Sequence, residues 1–203
     1  MTKFRLSILA IAFAAIASLL VNSTFAQPGK DMKKTVQEIA NLMRKADKTP
    51  DKKGDMKPAK MLAAKAAMEL GEFIDLMAMF RTRENGGLGV GAVPGPNPVK
   101  DGIDITIRDL ARNVPPAALK NSAALEEMGY QIAAIGEIVH ARGLKAKEEK
   151  QKTKKAWHEY SEDTHNTGLR FAQAVATKNP AQIKLAALKV NIACGGCHAF
   201  FKE

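Results

Sequence analysis

The stretch NIACGGCHAFFKE, residues 191–203, holds both cysteines of the chain and one of its four histidines. Cys194, Cys197 and His198 fall within five positions, and thiols beside an imidazole support only a few chemistries. A disulfide across a four-residue loop would add little stability, because the effect grows with the length of loop closed. A thioredoxin-like redox pair belongs at a helix N-terminus in a βαβ unit, a setting absent here. A structural zinc site needs four ligands, and there is no second cysteine pair. On a helix, Cys197 lies roughly 60° to one side of Cys194 and His198 roughly 40° to the other, so all three share a face. Two thiols one turn apart can reach the two vinyl groups of a haem edge, and the adjacent imidazole can turn under the ring to ligate iron. C-x-x-C-H is the attachment signature of c-type haem.

The N-terminus bears on that chemistry through the compartment it selects. Lys3 and Arg5 precede an uncharged apolar run from Leu6 to Leu20, and Thr24-Phe25-Ala26 offers small residues at positions −3 and −1 of a cleavage site. This is the grammar of a signal peptide. The run is shorter than the roughly 20 residues a bilayer span requires. Residues 1–26 are therefore expected to be a cleaved leader and 27–203 a single domain, periplasmic or secreted, with no stable membrane span left. Covalent haem attachment takes place outside the cytoplasm, so the leader and the motif agree. Losing Lys3 and Arg5 lowers the formal net charge of +10 by two. A basic exported protein favours acidic partners. Nucleic acid is a poor partner for an exported chain that is only 5% aromatic and so has few rings for bases to stack on.

The elements that must carry the motif read as helices. Met32, Val36, Ile39 and Met43 form one apolar stripe, on a helix expected to end near Lys48 before a polar linker, Asp51 to Asp55. Pro58 suits the first turn of a second helix, with a stripe of Leu62, Ala66, Leu70, Phe73, Met77 and Phe80. From Arg83 to Gly102 the glycines and prolines of GGLGVGAVPGPNP demand a long loop. That run lacks the Lys-Ser/Thr of a phosphate-binding loop and follows no strand, so it makes no nucleotide cradle. Ile103, Ile107, Leu110 and Ala111 predict a short helix ending near Asn113. Pro115-Pro116 opens a third main helix with a seam of Leu125, Met128, Ile132, Ile135 and Val139, stopping at Gly143. A fourth runs from about Lys147 to Lys178, with Trp157, Thr164, Phe171 and Val175 on one side. After the turn at Asn179-Pro180, the last helix carries Ile183, Ala187, Val190, Cys194, Cys197 and Phe201 on its apolar stripe, so the cysteines are expected to face the interior. The fold class is all-α: an antiparallel four-helix bundle with an extra short N-terminal helix and a long Gly/Pro-rich loop.

With C-x-x-C-H in the last turns of the final helix, followed by Ala199, Phe200, Phe201 and Lys202, the chain resembles the class II cytochromes c, the cytochrome c prime family. The resemblance is specific over roughly 150–203, where a Trp-bearing helix, an Asn-Pro turn and the motif helix follow one another; upstream it rests on helix count. It implies a four-helix bundle, thioethers at Cys194 and Cys197, and His198 as the proximal iron ligand. The N-terminal helix and the 83–102 insert depart from the family pattern.

Function then turns on the position opposite His198, since an open site binds gases and a sixth ligand favours electron transfer. An antiparallel hairpin turning at 179/180 sets Cys194 level with His165 and His198 level with Ser161. A second helix antiparallel to the last one would bring Lys65 to Met68 to the same height. Met61, Met68 and His165 are thus the sixth-ligand candidates, although methionines on apolar stripes also fill cores, the neighbours Asp163 and Asn166 suit a solvent-facing His165, and an aliphatic or empty distal side is expected ahead of any one of them. His140 and His158 read as surface groups, Trp157 and Phe201 as core. Residues 142–155 hold Arg142, Lys145, Lys147, Lys150, Lys152, Lys154 and Lys155, a basic rim able to steer an acidic redox partner or simply a solvated turn. No nucleophile–base pair or paired carboxylates stand out, so no enzyme is expected. The reading is an exported c-type cytochrome with one covalent haem c used for electron transfer. A five-coordinate NO- or CO-binding protein is the alternative, and a homodimer paired through a helix face fits either.

Overall fold

The computed structural model describes residues 28–49, 55–91, 101–144 and 153–201. The expected leader and the rim lysines Lys145, Lys147, Lys150 and Lys152 lie outside the described residues. All regular structure among them is helical, in the order α1 (Pro28–Asp47), α2 (Lys57–Glu69), α3 (Phe73–Ala78), a 3-10 turn (Arg83–Asn85), α4 (Ile103–Arg112), α5 (Pro116–Lys120), α6 (Ser122–Arg142), α7 (Lys154–Ala176) and α8 (Pro180–Phe201). No helix among the described residues is long and apolar enough to cross a membrane.

Several boundaries follow the sequence punctuation. Gly143 ends α6 in a positive-φ conformation, φ 66°, a region open to glycine at no steric cost. Asn179 starts α8, its side chain accepting from the backbone N–H of Ala181 and Gln182 at 3.0 and 3.2 Å, which satisfies two donors a helix start leaves open. Thr153 does the same for α7 through Ala156 N at 3.1 Å.

Other expectations are corrected. The N-terminal helix is not short: α1 has 20 residues, close to the lengths of α6, α7 and α8. The helix expected from Pro58 to Phe80 is two helices, because Leu70 and Glu72 are extended around Gly71 and break the ladder. The third main helix is preceded by the separate turn α5, and α7 starts at Lys154.

The core centres on α6, whose Ile132, Ile135 and Ile138 are fully buried, each contributing about 1.5–3 kcal/mol by leaving water. α6 packs against α7, α1 and α2, while α8 packs against α7 and α4. Small residues set the closest approach. A Cβ on Gly168 would lie 2.6 Å from Ala133 N, one on Gly129 2.7 Å from Ala172 N, and one on Gly136 2.6 Å from His165 N. Those pairs run in opposite directions along the two helices, so α6 and α7 are antiparallel and nearly in backbone contact. At the far end of this pair, Tyr130 donates to Asp47 at 2.8 Å and Gln173 to the same carboxylate at 3.0 Å, tying α1 to both helices.

α4 is held by its own anchor. The buried Asp101 accepts from Arg83 N at 3.1 Å and from Arg83 Nη1 at 2.6 Å, while Arg83 Nη2 reaches Gly91 O. These bonds close the ends of the Gly/Pro-rich loop, whose residues 92–100 lie outside the described set, and seat α4 beside α8.

Candidate functional site

α8 presents Cys194, Cys197 and His198 one turn before its end. Ile183, Ala186, Ala187, Val190 and Ala193 fix its rotation by turning into the core. Cys194 then packs against the core edge, while Cys197 is half-buried and His198 is exposed. The cysteines sit at the rim of the interior rather than deep inside it. Both thiols are free. Burial, helped by nearby Cys197 and Asp163, pushes the Cys194 thiol up to about 11, and burial also pushes Cys197 up. Both are protonated at neutral pH, unlike the activated thiolate of a redox or nucleophilic cysteine. His198 makes no hydrogen bond, ion pair or ring contact with another described residue, so both ring nitrogens are available.

The hairpin register expected from the Asn179-Pro180 turn holds. Asp163 on α7 acts on Cys194, a Cβ at Gly196 would lie 3.1 Å from the Tyr160 ring, and Phe201 meets Trp157. The end of α8 is thereby closed by an aromatic cluster. Tyr160 contacts Phe200 and Phe201 at centroid distances of 5.3 and 5.9 Å, and Trp157 continues to Phe73 at 5.5 Å.

The sixth-ligand candidates lie elsewhere. Met61 and Met68 are 73% and 80% exposed on α2, which packs on α1 and α6 through Ala59, Ala63, Ala66 and Ala67. The arrangement that set α2 beside the last helix is not seen, and α4 takes that place. His165 is level with Cys194 but points at α6, its Nδ1 3.1 Å from Ala133 O and 3.5 Å from Glu137 Oε2. It is half-buried there, not the solvent-facing side chain its neighbours suggested.

The donor set fits a covalently held haem. Two neutral thiols one helical turn apart and an adjacent free imidazole are the groups that thioether attachment and axial ligation need. Arg142 Nη2 donates to Gly71 O at 3.3 Å, while its Nη1 is buried with no hydrogen-bond partner among the described residues. Arg142 stacks over Phe73 at 5.3 Å, so the Arg142–Phe73–Trp157–Phe201 series connects it to the last turn of α8. A buried guanidinium nitrogen without an acceptor is costly. No group of three or more His, Cys, Asp or Glu side chains among the described residues converges on a point. The surface depression along α1, lined by Lys34, Gln37, Glu38, Asn41, Leu42 and Lys45, contains none of these groups.

Sequence reasoning missed the contact between His140 and His158, read as separate surface groups. The antiparallel α6–α7 register, set by Gly129, Ala133 and Gly136 against Ala172, Gly168 and His165, was the signal that could have paired them. No protein-family model matches this chain, and no curated protein or solved structure does either.

Proposed function

We propose that the chain is an exported c-type haem protein used for single-electron transfer. Cys194 and Cys197 would hold one haem c through thioethers, and His198 would ligate its iron. The observation that carries this reading is C-x-x-C-H on one helix face, with both thiols free and protonated and the imidazole unpartnered. Bound haem supplies a one-electron iron couple; the protein supplies ligation, burial and an electrostatic setting. The fold would be an antiparallel four-helix bundle similar to that of the class II cytochromes c. The antiparallel α6–α7 and α7–α8 pairs support that arrangement. Acidic redox proteins would be its partners, and a homodimer is compatible with it.

The test is expression of the full chain in a host that exports proteins and attaches haem. A red protein that keeps its chromophore through denaturation and solvent extraction agrees with the proposal, and Cys194→Ala with Cys197→Ala should abolish that retention. A colourless product from such a host defeats it.

A second reading, a five-coordinate protein that binds NO or CO, is favoured by one observation. The three side chains considered for the sixth position all turn away from α8, and α4 beside it offers Ile103, Ile107 and Leu110 to the interior. A high-spin spectrum that shifts with CO selects gas binding, whereas a low-spin spectrum indifferent to CO selects electron transfer. In either case Met61→Ala and Met68→Ala should leave the spectrum unchanged.

A further inference from the structure

We propose that His140 and His158 form a binding site for one divalent transition-metal ion of the zinc type, separate from the α8 motif. Trp157 Nε1 donates to Val139 O at 2.9 Å in a buried contact, clamping the end of α6 to the first turn of α7. The next residue of each helix is a histidine, so this clamp sets the two imidazoles side by side, their rings tilted to each other. Their ring centroids are 4.5 Å apart at 58°, and Nδ1 of His140 lies 3.4 Å from Nδ1 of His158. Two nitrogens bound at about 2.0–2.1 Å to a tetrahedral zinc are themselves about 3.3–3.4 Å apart. The separation therefore needs little adjustment to accept an ion between the rings.

Ser161, almost fully buried, organises the pair. Its hydroxyl donates to His158 O at 2.9 Å and its Oγ lies 3.2 Å from His140 Nδ1. With the hydroxyl proton used there, Ser161 Oγ accepts from His140 Nδ1–H, and His158 Nδ1 is left with its lone pair. This tautomer is assigned from the network. Metal binding would move the His140 proton from Nδ1 to Nε2, so that both Nδ1 lone pairs face the ion; no electron is transferred and no net proton is lost from the neutral pair. His158 is exposed and His140 half-buried, which gives the ion a path in and leaves water to complete its coordination. Imidazole donors suit zinc, copper and nickel, and calcium or magnesium would prefer oxygen.

Calorimetric titration of Zn²⁺ into the full-length protein tests the site. One ion per chain is expected, and His158→Ala and His140→Gln should each weaken binding about tenfold or more, at least what losing an outer-shell partner costs a metal site. Absence of saturable binding overturns the proposal. So does binding that both variants leave intact, which would assign the ion to other donors such as Cys194 and Cys197. Should His140→Gln fail to fold by circular dichroism, the exposed His158→Ala decides alone.

Discussion

Trp157 and Phe201 meet edge to face, ring centroids 5.1 Å apart at 76°, joining the first turn of α7 to the last turn of the helix that carries Cys194, Cys197 and His198. The same indole holds α6 through Val139 O, so one side chain positions both the α8 motif and the histidine pair. Trp157→Ala should cost about 3–5 kcal/mol, the usual range for a buried aromatic truncation. Trp157→Phe keeps most of the ring contact but leaves the Val139 carbonyl unpaired, and should cost about 1–3 kcal/mol. Urea unfolding measures both, and a neutral Phe variant would mean that the indole bond contributes nothing.

The α6–α7 contact makes a sharper test because it distinguishes glycines by place. Gly168 abuts backbone: a methyl added there would meet Ala133 N at 2.6 Å and Gly129 O at 2.9 Å, whereas one on Gly195 would meet nothing within 4 Å. Gly168→Ala must push two helices apart and should destabilise by about 1–3 kcal/mol. Gly195→Ala sits in open helix and should stabilise by roughly 0.5–1 kcal/mol through helix propensity. Thermal melts of the two variants moving in the same direction would contradict this packing.

Legibility in the sequence followed the range of the forces involved. Helical periodicity placed α1, α4, α6 and α8, because a stripe such as Val36, Ile39 and Met43 is set by neighbours three and four residues away. The α7–α8 register was readable for the same reason, since Asn179-Pro180 makes a tight turn and the level of each residue follows by counting. Partners across longer connections were not. Nothing local shows that α4 rather than α2 lies beside α8; that depends on the Arg83–Asp101 anchor, formed by residues 18 apart. Met61 and Met68 shared an apolar pattern with core residues, but α2 packs through its alanines and leaves both outside. The histidine pair was hidden because its register is set by close-packed glycines, which carry no hydrophobic signal.

The thiols predict a pH response in protein that carries no haem. Burial raises Cys194 to about 11 and raises Cys197 above its ordinary 9.0. Between about pH 9 and 11 the folded state therefore holds protons that the unfolded chain releases, and stability must fall as pH rises through that window. Alkylation by iodoacetamide should be slow at pH 7 in the folded protein and should accelerate toward pH 11. Fast, pH-independent modification at neutral pH would show the thiols to be exposed and ordinary. Thioether formation removes both protons from the titration, so haem-loaded protein should lose this alkaline dependence.

Asp101 connects the loop to the site. Its side chain is 3% exposed and pairs with Arg83, itself 27% exposed, and Val90 N donates to Asp101 O at 2.7 Å in the same turn. Asp101→Ala strands a largely buried guanidinium and should cost about 3–5 kcal/mol. The effect should reach α8, because the Arg83–Asp101 anchor seats Ile103, Ile107 and Leu110 against it. Hydrogen exchange in the Asp101→Ala protein is expected to quicken along Ile103–Arg112 and on the facing turns of α8, while the α6–α7 pair keeps its protection. Replacing both partners, Asp101→Leu with Arg83→Met, removes the stranded charge and should recover most of the lost stability. An Asp101→Ala protein within about 1 kcal/mol of the parent, with exchange unchanged along α4, would mean that apolar contact alone holds α4 on α8.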